Sequence, residues 1–329
     1  MRNDTAPSAD RLAVILSRQD PPGWGADYVP GQLATREEAP PHSRYIRIRC
    51  AALGRRVHAV SKAERDAILV GMHLGKWFEL NEGRMLSCEP TARRLSGHPR
   101  AVDIPIRRTR GTIAVADALG VLELHPCIYV DDPDHPGRQM KVPFPYLGDL
   151  LWFFLDSRGP YPVNWTVKAR PEEFEHPAPW PDRPVRDPAE EAARQRARLA
   201  VEELTYLDLE VPTVRVAGSD VPPDVANNLR RVYGWIDRPS GIGERRRRQI
   251  VDLLKTEVGL GRPPIETFLR LLSMHGGSVY AYKCVFYQAI WRRELLVDLW
   301  EPIDLSAPLH PQSRDPVAHF QKWFARFSP

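Results

Sequence analysis

At 329 residues, with 43% apolar and 27% charged side chains, the chain has the balance of a folded globular protein with room for two ordinary domains. Its net charge of +4 suits a polyanionic partner without requiring one. No apolar run approaches the roughly 18 residues of a membrane-spanning helix, and the start, MRNDTAPSADRLAVIL, lacks the pattern of a secretory leader. The four cysteines, Cys50, Cys88, Cys127 and Cys284, form no C-x-x-C pair. A zinc site or disulfide framework is therefore not indicated, and a cytoplasmic protein with buried free thiols is expected.

The 33 prolines cluster at 21–31, 39–44, 131–137 and 176–188, each a loop or connector because proline lacks a ladder donor. Ser61-Lys-Ala-Glu64, followed by RDAILVGMHLG, predicts a capped helix ending near Gly75, with Ala67, Ile68, Met72 and Leu74 on its apolar side. DDPDH (131–135) groups possible metal ligands, but its prolines predict a surface turn. Residues 147–156, short and aromatic, predict a strand paired through a Ser157-Arg158-Gly159 turn with 163–168, VNWTVK. Residues 188–204 predict a helix and 211–218 a short strand.

From residue 219 the chain reads as mostly helical, with helices predicted over 224–236, 242–258, 264–274 and 279–293. LLVDLWEPIDL then offers a short strand and a loop, and this order is the plan of a winged-helix module. In the tail, Phe320, Trp323, Phe324 and Phe327 predict one helical face, equally suited to packing on its own domain or docking on a partner. No internal repeat and no H-x-x-x-H pair occurs.

A lysine at the end of an apolar strand costs several kcal/mol if buried without a partner. Antiparallel pairing would bring Asp149 beside Lys168, and the plain reading is a structural ion pair. With Glu64 upstream and Pro145 before Asp149, however, the set matches the E, P-x-x-x-D, x-x-K pattern of PD-(D/E)xK nucleases. There two carboxylates hold magnesium, while the lysine orients the nucleophile or neutralises phosphate charge. Glu64 has a structural alternative, since Ser61-x-x-Glu64 is also a capping box. Arg245, Arg246, Arg247 and Arg248 open a helix, where the macrodipole disfavours cations, so phosphate contact is expected in preference to a solvated face.

The segments GWGADYVPG (23–31), RYIRIRCAALGRRVHAVSKAERDAILVG (44–71), TRGTIAVADALGV (109–121) and GDLLWFF with NWTVKARP resemble, in order through residue 218, the nuclease domain of the TnsA family. These are endonuclease subunits of heteromeric Tn-type bacterial transposases. The resemblance implies an α/β fold: an N-terminal arm over 1–43, a restriction-endonuclease-like (PD-(D/E)xK) nuclease domain over 44–218, and a mostly helical winged-helix-like domain over 219–329. It implies catalytic Glu64, Asp149 and Lys168. It also implies magnesium, two ions with manganese able to substitute, on Glu64, Asp149 and position 166. The implied task is cutting the non-transferred strand at transposon 5' ends in the bacterial cytoplasm, associated with the nucleoid during transposition. Its partners would be transposon-end DNA, a DDE transposase subunit (TnsB-like) and an AAA+ ATPase regulator (TnsC-like), with no membrane.

The family's Gln or Glu two residues before the lysine falls on Thr166, a departure. Strand alternation places Asn164, Thr166 and Lys168 on one face, so a neutral oxygen of Thr166 or Asn164 is expected to serve a weakly held metal. Two rivals follow: a catalytically inactive DNA-binding or bridging subunit that keeps the nuclease fold, and a restriction or repair nuclease acting alone.

Overall fold

The computed structural model describes residues 6–40, 43–91, 98–100, 108–176 and 187–326. The proline cluster at 176–188 lies largely outside them, as does Phe327. Near the N-terminus stands a helix that the sequence pattern did not suggest, α1 (Ala9–Gln19), where Ser8 Oγ accepts the Arg11 amide at 3.3 Å as N-cap. Its buried Ile15 packs with Met85, Ile128 and Phe144, so this part of the arm contributes to a core. A hairpin of β1 (Ile46–Cys50) and β2 (Arg55–Ala59) follows, then α2 (Lys62–Leu74) and β3 (Trp77–Met85). After α3 (Thr112–Ala118) comes a second hairpin, β4 (Cys127–Asp131) and β5 (Gln139–Pro143). Its tip is the turn expected from DDPDH: Asp132 accepts the Asp134 amide at 3.0 Å and contacts His135 Nδ1 at 3.1 Å.

The aromatic run forms β6 (Leu147–Asp156), which turns into β7 (Gly159–Lys168), with Asp156 opposite Gly159 and Leu150 opposite Trp165. Helix α4 (Pro188–Asp208) then leads to β8 (Thr213–Ala217), which lies parallel to β7. A parallel neighbour needs such a crossover. The resulting mixed sheet has the order β3-β6-β7-β8. On one face Leu151 and Phe153 cluster with Tyr206 of α4 and with Val211. Trp152, Phe154 and Trp165 form a separate aromatic group, with Trp152 and Trp165 centroids 5.3 Å apart, and Trp323 and Phe324 pack against Trp165 at 5.3 and 5.7 Å. Burial on both sides explains why β6 reads as an unbroken apolar run rather than an alternating one.

The chain divides into two compact units. The first comprises Met1–Arg65, Lys76–Asp220 and Lys322–Pro329, and the second comprises Asp66–Gly75 and Val221–Gln321. Compared with the expected arm over 1–43 and domains over 44–218 and 219–329, the first unit takes in the arm and residues to Asp220, and the segments Asp66–Gly75 and Lys322–Pro329 are exchanged between the units. The second unit holds α5 (Pro223–Tyr233), α6 (Glu244–Gly259), α7 (Pro264–His275), α8 (Val279–Trp291) and the short α9 (Pro316–His319). Phe268 and Phe286 are fully buried there, with ring centroids 5.8 Å apart. Where a strand and wing were expected after α8, the described residues form one isolated bridge, Val297 with Pro311. Pro302, Pro308 and Pro311 deprive this stretch of ladder donors. The tail is likewise not one helix: α9 ends at His319 and a 3₁₀ turn spans Gln321–Phe324. Phe320 is buried and falls in the second unit, while Trp323 falls in the first.

A candidate carboxylate site on the mixed sheet

The β6–β7 ladder stops at Leu150 and Trp165, and there the side chain of Asp149 takes over. Its Oδ2 accepts the Val167 amide at 2.7 Å. This bond fixes the carboxylate at the open end of the hairpin. The basic group in ion-pair range is Arg198 of α4, 3.8 Å from Oδ1, which also donates to the Leu147 carbonyl at 3.0 Å. The expected Asp149–Lys168 ion pair is not formed. The side-chain ammonium of half-buried Lys168 has no hydrogen bond or ion pair among the described residues, yet its charge acts on Glu64.

Glu64 stands in the first turn of α2 and closes the capping box. Its amide donates to Ser61 Oγ at 3.0 Å, and Ser61 Oγ contacts Glu64 Oε1 at 3.0 Å. The reciprocal bond goes to the Val60 amide, at 2.9 Å from Oε2, rather than to the Ser61 amide. Burial, and then the charge of Asp149, push the Glu64 carboxyl up to about 7 against the opposing pull of these bonds and of Lys168. The cap and the catalytic assignment therefore fall on one side chain. Glu64, Asp149 and Lys168, far apart in sequence, share one electrostatic neighbourhood within the first unit.

The sequence reading missed Glu202. Helix α4 sets Arg198, Glu202 and Tyr206 four residues apart along one face. Glu202 is fully buried, and its Oε1 accepts from Asn164 Nδ2 at 2.9 Å and Thr166 Oγ1 at 3.0 Å. The alternation argument correctly places Asn164 and Thr166 on one face, but both turn their donors to Glu202. Glu202 Oε2 and Asn164 Oδ1, both buried, have no hydrogen-bond partner among the described residues. Burial raises the Glu202 pKa and the Asp149 charge adds to it, while Arg198 and the two side-chain bonds oppose. One signal was legible: an acidic residue three after Leu199 and four before Tyr206, on the apolar stripe of a helix.

In the second unit the arginine cluster opens α6 behind Gly243. Arg247 is buried and bidentate to Glu294 at 2.6 and 3.0 Å, with Glu244 adding bonds at 2.9 and 3.2 Å. Arg248 also bonds Glu244, at 3.0 Å, and the two guanidiniums hold that carboxyl down to about 2. Arg245 is exposed and Arg246 half-buried, neither with an ion pair among the described residues.

Among the described residues no group of three or more His, Cys, Asp or Glu side chains is disposed to hold a metal ion. The oxygens around Asp149, Glu202, Thr166 and Asn164 are carboxylate, hydroxyl and amide, a donor chemistry that fits a hard cation such as magnesium. The unpartnered buried oxygen of Glu202 is the specific point of fit. No helix among the described residues is long and apolar enough to cross a membrane. No family model matches the chain, and a search of curated proteins gives no match.

Proposed function

We propose that this chain is a metal-dependent DNA endonuclease subunit of a transposase, similar to the TnsA family, with a PD-(D/E)xK nuclease domain and a mostly helical C-terminal domain. The observation that carries this reading is that Asp149, held at the open end of the β6–β7 hairpin by the Val167 amide, and Lys168 at the end of β7 both act electrostatically on Glu64 of α2. Asp149, held by the Val167 amide, would bind magnesium with a second carboxylate. Bound there, magnesium supplies Lewis acidity toward a phosphodiester and lowers the pKa of its water. Lys168, with no ion pair of its own among the described residues, is available to orient the attacking water or to neutralise phosphate charge. Glu64, whose carboxyl burial and the Asp149 charge raise to about 7, would be placed to exchange a proton near neutral pH. Arg245, Arg246 and Arg248 would contact phosphates. The partners in this reading are transposon-end DNA, a TnsB-like DDE transposase and a TnsC-like AAA+ ATPase.

One observation favours the inactive bridging subunit instead. Arg198 stands beside Asp149, and both Glu64 oxygens are engaged in the cap. The two readings separate in a cleavage assay of transposon-end DNA, using this chain with its partner subunits, with and without magnesium. Magnesium-dependent nicking that falls at least about 100-fold in Asp149→Asn and in Lys168→Ala supports the endonuclease. DNA binding without nicking in magnesium or manganese assigns the bridging role.

A further inference from the structure

We propose that Glu202 is the second carboxylate of the cation site, standing on α4 where Thr166 leaves β7 without an acidic side chain, and that it binds a divalent cation together with Asp149. The assignment rests on the nuclease reading above.

Thr166 and Glu202 touch through the 3.0 Å hydroxyl bond, so a carboxylate moved from the strand to the helix reaches the same place. The bonds from Thr166 and Asn164 both go to Oε1 and fix the side chain, leaving Oε2 buried and without a donor among the described residues. A carboxylate oxygen left in that state costs a folded protein several kcal/mol. In a structural network it would be paired, and in a cation site it is the ligand. Asn164 Oδ1 is orphaned in the same network, so two buried acceptors lack donors there among the described residues. Asp149 and Glu202 also repel one another, and the basic group beside them, Arg198, lies 3.8 Å from Asp149. A divalent cation satisfies the free oxygen and the repulsion together. Thr166 is then a positioning residue for Glu202 rather than a metal ligand. A glutamate added at position 166 of the wild type would crowd Glu202 instead of strengthening the site.

The test uses the full chain without DNA, by calorimetric titration with Mn²⁺ and Mg²⁺ and by thermal melting with and without each ion. Wild type is expected to bind Mn²⁺ and to melt higher in its presence. Glu202→Gln keeps the Oε1 acceptor and removes the charge. It should weaken Mn²⁺ binding by about tenfold or more, lose the ion-dependent rise in melting temperature, and melt no lower than wild type without metal. The exchange variant Thr166→Glu with Glu202→Ala returns the carboxylate to the strand and should regain Mn²⁺ binding. Wild-type Mn²⁺ affinity in Glu202→Gln, or a lower metal-free melting temperature with the metal response intact, makes Glu202 a structural residue and overturns the assignment. If that occurs while the wild type still nicks DNA with magnesium, the nuclease reading survives. If the wild type neither binds either ion nor nicks, both fall.

Discussion

Asp149 holds its place through a backbone amide, which decides how it can be replaced. Asp149→Ala strands the Val167 N–H beside the sheet and should cost about 1–2 kcal/mol in urea denaturation. Asp149→Asn keeps an oxygen acceptor and should melt close to wild type, so it is the cleaner probe of chemistry. His58 gives a pH test. Burial first, then Arg55 and Arg47, hold its imidazole down to about 4, and its Nδ1 accepts the Ala34 amide at 2.9 Å, which requires an unprotonated nitrogen. Because its folded pKa lies below the unfolded value near 6.5, the unfolded chain takes up the proton first. Stability is therefore lost as pH falls from about 6.5 to about 4. Glu64, raised to about 7, works in the opposite direction, losing stability as pH rises from 4.5 to about 7, so the measurement must be differential. His58→Asn should lose its disadvantage relative to wild type by about 2 kcal/mol between pH 7 and pH 4, read from urea midpoints. The trio Glu64, Asp149 and Lys168 was legible because its residue types and order match a known chemistry. Glu202 carried a weaker signal, its place on the apolar stripe between Leu199 and Tyr206, among the other glutamates Glu190, Glu191 and Glu203 of the same helix, and packing makes it distinct as the buried one.

Helix α6 separates two kinds of arginine that look alike in sequence. Arg247→Gln removes the bidentate partner of Glu294 and should destabilise the second unit by about 1–2 kcal/mol. Replacing Arg245, Arg246 and Arg248 by glutamine should leave the melting temperature nearly unchanged and weaken DNA binding at all sequences. The slope of log affinity against log salt should drop by about 0.9 for each phosphate that these side chains no longer neutralise. An unchanged slope assigns these arginines to solvent. Among the elements, the hairpin, α4, β8 and the four helices from α5 to α8 follow from periodicity and turn chemistry. β3 escaped notice because WFELNEGRM places Glu79, Asn81, Glu82 and Arg84 in a buried strand. Only tertiary partners make that tolerable: Arg55 pairs bidentately with Glu82 at 2.7 and 2.9 Å, and Glu79 accepts the Gly25 amide at 2.7 Å. The expected wing failed for a different reason, since strand-like residues there are interrupted by proline.

At the scale of the whole chain, the path crosses between the two units four times. The last crossing returns Trp323 and Phe324 to the aromatic group on β6 and β7, where Trp165 Nε1 donates to the Trp323 carbonyl at 2.7 Å and Tyr161 donates to the Phe324 carbonyl at 3.0 Å. Arg326 adds bonds to Asp156 at 2.8 and 3.1 Å. A chain ended at Gln321 should lose about 3 kcal/mol or more from the first unit, because it uncovers Trp165 and Phe154 and strands an indole N–H. Urea unfolding followed by tryptophan fluorescence reads this directly, and an unchanged midpoint would show the tail to be passive.

That closing segment also sets an order of events on the ribosome. The strands of the sheet emerge early, but Trp323 and Phe324 follow only after all of Val221–Gln321 has been made. At about 5–20 residues per second the wait is on the order of 10 s, during which Trp165 lacks its final cover. Asp66–Gly75 waits in the same way for the helices it joins. Neither unit is complete before translation passes residue 220, and the one bearing the carboxylates is finished last, so a prematurely terminated product would carry the candidate site on an unclosed sheet.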